Sequence, residues 1–150
     1  MELEALFSVA STVALVGWLG LVLAPSKYPL WRPLAALVAL ALCMLYAGLL
    51  GAFWTSGAGD FGSLGGVAKL FEQPGLLLAG WVHYLAFDLL VGAWEREEAQ
   101  RIGLSRWLLA PCLALTFMLG PLGWLAFMAV RSVRLQTVRR AGHGSPEIAA

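Results

Sequence analysis

Four long stretches of the chain are almost free of charged side chains, and the polar residues are concentrated between them. Residues 5–24, 34–53 and 107–130 carry no charge, and residues 76–94 carry only one acid, Asp88. A helix needs about 20 apolar residues to cross a hydrocarbon core of about 30 Å. Because lipid offers the backbone no hydrogen-bond partners, each stretch predicts a transmembrane α-helix. The pattern predicts an all-α fold, an integral membrane four-helix bundle with short loops.

The same pattern sets the expected domain organisation. We predict a single transmembrane domain over residues 1–130 and a basic, then polar, disordered tail over residues 131–150. Glu2 and Glu4 precede the first span, whereas a cleavable signal peptide has a basic start. We expect residues 55–74 to form the longest loop, with about one turn of interfacial helix over Val67–Phe71. We expect residues 95–106 to be a solvated, charged extension of the third helix.

Composition narrows the class of protein. Hydrophobic residues make up 60% of the chain and charged residues 13%, and the mean hydropathy is +0.78. Soluble domains carry about twice that share of charge. These values exclude a soluble globular domain, a disordered chain and a nucleic-acid-binding protein with a basic face. Cys43 and Cys112 lie inside apolar stretches without the spacing of a redox pair, so we interpret them as small buried residues.

Charge does not orient the predicted bundle. Four crossings place the N-terminus, the 55–74 loop and the C-terminus on one side of the membrane. Each side then carries five Lys and Arg residues. Because the two counts are equal, the positive-inside rule does not orient a chain that crosses the membrane four times.

The third span carries the most informative residues, in the segment WVHYLAFDLLVGAWE. An ionisable side chain inside a membrane helix is costly, so Asp88 is a candidate functional residue. Tyr84 lies one helical turn before Asp88, on the same face of the helix as Trp81. His83 points about 140° away from Asp88 at about 100° per residue. We take Asp88, His83 and Tyr84 as candidate catalytic residues; the alternative is that they only fix helix packing.

The fourth span contains a second unusual segment, PCLALTFMLGPLGWL. Pro121 is predicted to kink the helix and to free the carbonyl of Phe117, and Gly120 and Gly123 allow close helix approach. Such irregular backbone either lines a cavity or serves packing alone. The candidate substrate-binding residues are Trp18, Trp81, Phe87, Thr116, Phe117 and Pro121.

Motifs for metal, nucleotide and redox chemistry are absent from the sequence, so no metal and no cofactor is predicted. The functions that remain are acid–base chemistry on a lipid-soluble substrate and binding of such a substrate. A buried carboxyl group can hold a proton, give it to an epoxide or polyene and take one back. Aromatic side chains around it would stabilise positive charge on the substrate.

The two segments quoted above, together with Phe7–Ser8, Gly17–Trp18 and Leu70–Phe71, resemble the abscisic-acid-deficient-four-like membrane proteins. The resemblance covers nearly the whole chain. It implies a four-helix membrane protein of carotenoid or isoprenoid metabolism, because the plant member is linked to the conversion of violaxanthin to neoxanthin. It further implies an isomerase without net redox change, acting on a carotenoid-like lipid. A chain without a transit peptide is expected in a bacterial cell membrane.

Three functions follow from these observations. The first is a cofactor-independent carotenoid isomerase, of the epoxide-to-allenic-alcohol or cis–trans type. The alternative is a non-catalytic pigment-binding or assembly subunit, with a homo-oligomer or an enzyme as partner. The third is a small proton-coupled transporter, which four helices without an internal repeat make the weakest of the three.

Overall fold

The computed structural model describes residues 2–24, 30–56 and 58–143. Within these residues the chain forms six α-helices and one short 3-10 helix, Trp54–Ser56, so the all-α prediction is confirmed there. The α-helices are α1 (Glu2–Leu23), α2 (Trp31–Phe53), α3 (Leu64–Glu72), α4 (Pro74–Arg101), α5 (Arg106–Leu119) and α6 (Pro121–His143).

Helices α1, α2 and α4 are long and apolar enough to cross a membrane. They contain 22, 23 and 28 residues and coincide with the first three predicted spans. At 1.5 Å per residue, even the shortest reaches about 33 Å, the thickness of the hydrocarbon core. The chain is a membrane protein.

The stretch predicted as the fourth span is divided. Helix α5 ends before Gly120, whose φ of 44° is outside the helical range, and α6 begins at Pro121. Proline fits the first position of a helix because its missing N–H has no partner to lose there. The expected kink is therefore a break between two helices. Helix α5, with 14 residues, is about 21 Å long and too short to cross a membrane alone.

Two segments outside the predicted spans contain more helix than the sequence predicts. The long loop contains α3, which begins after Ser63, whose side chain accepts a hydrogen bond from the backbone N–H of Gly66. This is ordinary N-capping. The predicted disordered tail starts at residue 131, whereas α6 continues to His143. Residues 144–150 lie outside the described part of the chain.

The chain divides into two compact units, Met1–Leu90 and Val91–Ala150. In the first, α1 packs on α2 and reaches α4 at Gly17. A Cβ atom there would lie 2.9 Å from Leu89 Cδ2 and 3.1 Å from Val38 Cγ1, so the three helices are in close contact at this level. In the second unit, α5 packs on α6, where a Cβ atom on Gly123 would overlap the backbone nitrogen of Thr116.

The charged end of α4 is helical to Arg101, as predicted, and Glu97, Gln100 and Arg101 are exposed, but three of its charged residues are not solvated. Glu95 is fully buried, Arg96 is 3% exposed and Glu98 is 7% exposed. Thr116 of α5 and Arg131 of α6 are polar partners of Glu95 and Glu98, as described below. Buried charges require such partners because desolvation is costly.

Candidate ligand-binding site

A cavity of about 320 Å³ lies in the first unit, between α2, α4 and the segment that connects them. One face of α4 contributes residues at helical spacings of three and four, and one face of α2 and the 3-10 helix contributes residues four apart. The lining residues are Tyr46, Leu50, Trp54, Phe61, Leu70, Phe71, Leu76, Ala79, Gly80 and His83. The lining is aromatic and aliphatic, and its polar side-chain groups are the imidazole of His83, the phenol of Tyr46 and the indole N–H of Trp54.

Glycine residues allow the connecting segment to fold closely over this cavity. A Cβ atom on Gly75, near the start of α4, would overlap the ring of Phe53 at the end of α2. A Cβ atom on Gly80 would lie 2.7 Å from Cε1 of Phe71 on α3. A Cβ atom on Gly59 would overlap the carbonyl oxygen of Gly66. The absence of side chains at these positions therefore sets how near α3 comes to α2 and α4.

The floor of the cavity is buried and its mouth is aromatic. Leu70, Leu76 and Ala79 are at most 6% exposed. Trp54 and Phe61 are exposed and stack on each other, with ring centroids 5.8 Å apart. An apolar ligand would thus enter past aromatic faces and rest on aliphatic side chains.

His83 is an exposed side chain held between aromatic rings. Its ring stacks on Phe87, one turn later in α4, with centroids 4.5 Å apart and an interplanar angle of 22°. On the other side it meets Tyr46 of α2, with centroids 5.3 Å apart. These contacts hold the imidazole in the wall of the cavity, which His83 lines.

Trp81 faces a different helix from His83, in agreement with their spacing on α4. Its indole Nε1 donates a hydrogen bond to Ser11 Oγ of α1 over 3.1 Å, and its ring lies 5.5 Å from that of Phe7. Trp81 and Phe7 also line a second cavity, of about 380 Å³, which does not include His83. The two aromatic faces of α4 therefore serve two separate cavities.

Asp88 is 9% exposed and accepts a hydrogen bond from the hydroxyl group of Tyr84. Its second oxygen, Oδ2, is buried and has no hydrogen-bond partner among the described residues. A buried oxygen of this kind needs a proton of its own or a polar partner. Neither Asp88 nor Tyr84 lines the His83 cavity. The structure thus brings Tyr84 and Asp88 together and leaves His83 apart from them, as its angle of about 140° from Asp88 around the helix predicted.

The remaining predicted substrate-binding residues do not line the His83 cavity either. Trp18 is buried in α1. Thr116, Phe117 and Pro121 belong to the second unit, where Thr116 is fully buried. In the described part of the chain, no group of three or more His, Cys, Asp or Glu residues could hold a metal ion.

Comparison with models of known protein families tests the family resemblance that the sequence segments indicated. A family model described as ABA DEFICIENT 4-like matches residues 5–127. The chain belongs to the ABA4-like family. No curated protein and no solved structure matches it. Membership of this family links the chain to carotenoid and neoxanthin metabolism in a membrane.

Sequence reasoning missed most of the cavity of this ABA4-like protein. Tyr46, Leu50 and Trp54 recur every four residues, and α4 repeats the same kind of stripe from Leu76 to His83. Those spacings were visible, and each predicts one helix face. Spacing within a helix does not show that α3 folds back across both stripes, so the cavity itself could not be derived.

A second polar cluster, in the Val91–Ala150 unit, was also missed. Thr116 Oγ1 lies 2.9 Å from Glu95 Oε1 and 3.0 Å from the carbonyl oxygen of Cys112. Glu98 accepts hydrogen bonds of 2.6 Å from the Nε atoms of both Arg101 and Arg131. The sequence did contain a signal for this cluster. Glu95 and Glu98, three residues apart, follow one apolar stretch, and Arg131 and Arg134, also three residues apart, follow the next.

Proposed function

We propose that this ABA4-like protein binds an end group of a carotenoid-like lipid in the His83 cavity and isomerises it by cofactor-independent acid–base chemistry. The observation that carries the proposal is the placement of one imidazole on the wall of an aromatic cavity in a membrane protein. Family membership supports the substrate class.

The size of the cavity supports binding of an end ring. Its volume of about 320 Å³ lies at the lower end of the range for small-molecule sites, about 300–1,000 Å³. A forty-carbon polyene does not fit in that space, but one substituted ring does. The exposed rings of Trp54 and Phe61 at the mouth offer flat surfaces for the first conjugated double bonds. The rest of the polyene would extend into the lipid.

An isomerisation of this kind needs one proton given and one proton taken. His83, as imidazolium, would protonate the oxygen of a ring epoxide while the carbon–oxygen bond breaks and positive charge spreads into the polyene. The resulting neutral imidazole would then remove a proton from the neighbouring carbon, which forms a new double bond and leaves an alcohol. Substrate and product have the same atoms, and no electrons are transferred. Aromatic faces around the site stabilise the intermediate cation.

Tyr46, whose side chain ends in a hydroxyl group, is a further polar residue of the cavity lining. Its ring contacts that of His83 and it comes from a different helix. In the proposed site it orients the oxygen of the substrate ring toward the imidazole. Tyr84 and Asp88 lie outside the cavity lining, so we assign them to the contacts of α4 within the helix assembly rather than to the reaction.

Expression in a carotenoid-producing host, followed by chromatography of the pigments, tests the proposal. The host set should include strains whose carotenoids have unsubstituted, hydroxylated and epoxidised end rings. The wild-type protein is expected to convert an oxygenated pigment to an isomer of equal mass. His83→Phe keeps an aromatic ring against Phe87 but has no exchangeable proton, and it is expected to retain bound pigment without conversion.

The outcomes separate catalysis from binding. Conversion by the His83→Phe variant at the wild-type rate would remove His83 from the reaction. Pigment that co-purifies with the wild-type protein but is never converted would favour the non-catalytic pigment-binding function. Absence of both bound pigment and conversion across the host set would refute the proposed function.

A further inference from the structure

The contacts between α4 and α6 are in a constant register. The ring of Trp94 lies 5.6 Å from that of Phe127, and Glu98 pairs with Arg131 over 2.6 Å. Arg134 donates to the carbonyl oxygens of Ile102 and Gly103 over 3.4 and 3.2 Å. Because the partner number rises with the α4 number, α6 runs parallel to the end of α4.

Helix α5 runs in the opposite direction. It starts at Arg106, only a short turn after α4, and reaches the level of Glu95 at Thr116. Gly120 then reverses the chain, and its N–H still bonds to the carbonyl oxygen of Thr116 over 2.9 Å. The two helices form a hairpin that packs beside the end of α4, with its turn at Gly120 and with α6 continuing beyond the last residue of α4.

The hairpin carries an apolar surface suited to lipid. Its exposed large apolar side chains lie along both helices and around the turn, and they include Trp107, Leu108, Met118, Leu119, Leu122 and Leu125. Helix α5 is about 21 Å long, less than the hydrocarbon thickness of about 30 Å. At the turn, the N–H of Gly120 donates to the carbonyl oxygen of Thr116, and the carbonyl oxygen of Gly120 accepts from the N–H of Trp124. Such internal backbone bonds favour a place in hydrocarbon.

We propose that the α5–α6 hairpin enters and leaves the membrane on the same side, so that the chain crosses three times. The arginine-rich face, which is the side that carries the arginines from Arg96 to Arg140, then lies in the cytoplasm. Three crossings put α3 on one side, and the 25–30 segment, the end of α4 and α6 on the other. The first side then carries Lys69 alone, and the second carries the other nine Lys and Arg residues. The tie found for four crossings becomes a strong asymmetry, and the positive-inside rule orients the chain.

This arrangement has a consequence for the ligand, which rests on the proposed function. The His83 cavity is closed over by α3, at the end of α2 and the start of α4. That end lies on the side opposite to the arginine-rich face. The carotenoid-like lipid would therefore enter from the leaflet away from the cytoplasm.

Cysteine labelling in spheroplasts of a bacterial host tests the topology without any ligand. In a background with Cys43 and Cys112 replaced by alanine, single cysteines are placed at exposed positions by Ala68→Cys on α3, Gln100→Cys on α4 and Gln136→Cys on α6. A membrane-impermeant maleimide is expected to label only the α3 cysteine in intact spheroplasts. The other two should be labelled only after permeabilisation, and denatured protein should show that all three thiols can react.

The alternatives give different patterns. Equal labelling of the cysteines on α3 and α6, with the one on α4 opposite, is the pattern of four crossings and would overturn the hairpin. Labelling of the α4 and α6 cysteines alone would overturn the orientation. None of these results depends on whether a carotenoid is bound or converted, so the topology and the proposed function fail independently.

Discussion

Thr116 Oγ1 of α5 lies 2.9 Å from Glu95 Oε1 of α4, and both side chains are fully buried. Removing one hydrogen-bond partner of a buried carboxyl group costs about 1–3 kcal/mol. We therefore expect Thr116→Val, which keeps the shape but removes the hydroxyl group, to lower the free energy of unfolding by about 1–3 kcal/mol. Thermal unfolding in detergent measures this loss.

Thr137→Val is the matched control for that substitution. Thr137 is exposed on α6 and its hydroxyl group donates only to the carbonyl oxygen of Val133 in its own helix. Surface substitutions of this kind change stability by about 0.5 kcal/mol or less. If both valine variants unfold at the wild-type temperature, the Glu95–Thr116 contact does not stabilise the folded protein.

The close approach of α5 and α6 leads to a prediction for Gly123. A Cβ atom there would overlap the backbone of Thr116, which no side-chain movement relieves. Gly123→Ala should separate the two helices and cost more than the 1–3 kcal/mol that is typical of overpacking. Gly48→Ala on α2 is the control, because a Cβ atom at that position meets nothing within 4 Å. We expect proteolysis to cut the α5–α6 region faster in the Gly123 variant only.

Asp88 and Tyr84 give a prediction about the reaction as well as about stability. Tyr84→Phe leaves the buried carboxyl group without its hydroxyl partner and should cost about 1–3 kcal/mol. The double variant Tyr84→Phe with Asp88→Leu removes both polar groups and should recover that stability, because no buried polar atom is left unpaired.

The same double variant separates packing from catalysis. Since neither residue lines the His83 cavity, conversion of carotenoid by the folded double variant should match that of the wild-type protein. A double variant that unfolds normally but forms no product would return Asp88 to the catalytic group. Pigment chromatography beside a thermal unfolding curve makes that distinction.

The long apolar stretches were enough to predict α1, α2 and α4, since burial of backbone polar groups in lipid allows only helices. They were not enough to predict the division at Gly120. Pro121 is compatible with a kink inside one helix and with the first turn of a new helix, and the local sequence does not distinguish between the two. The choice is made by contacts such as that of Gly123 with Thr116, which join residues on two helices.

The candidate site shows the same limit. Helical spacing separated His83 from Trp81 and Tyr84 on α4, and these residues indeed face different neighbours. The energetic cost of an acid inside the membrane made Asp88 a candidate functional residue. The cavity, however, is lined by His83 and not by Asp88. Its position depends on where α3 packs, and a nine-residue helix that follows a glycine-rich segment leaves no signal of its direction in the sequence.

Filling the His83 cavity provides the most direct prediction for binding. Ala79 lies on its floor and is 1% exposed, so the ring introduced by Ala79→Phe has to occupy the space of about 320 Å³ in front of it. We expect the amount of co-purified pigment to fall about tenfold, the effect of a loss of about 1.4 kcal/mol in binding free energy. Ala47→Phe is the control, because Ala47 is exposed on α2 beside Tyr46 and does not line the cavity. Equal pigment content in the two variants, measured by absorbance per mole of folded protein, would place the ligand elsewhere.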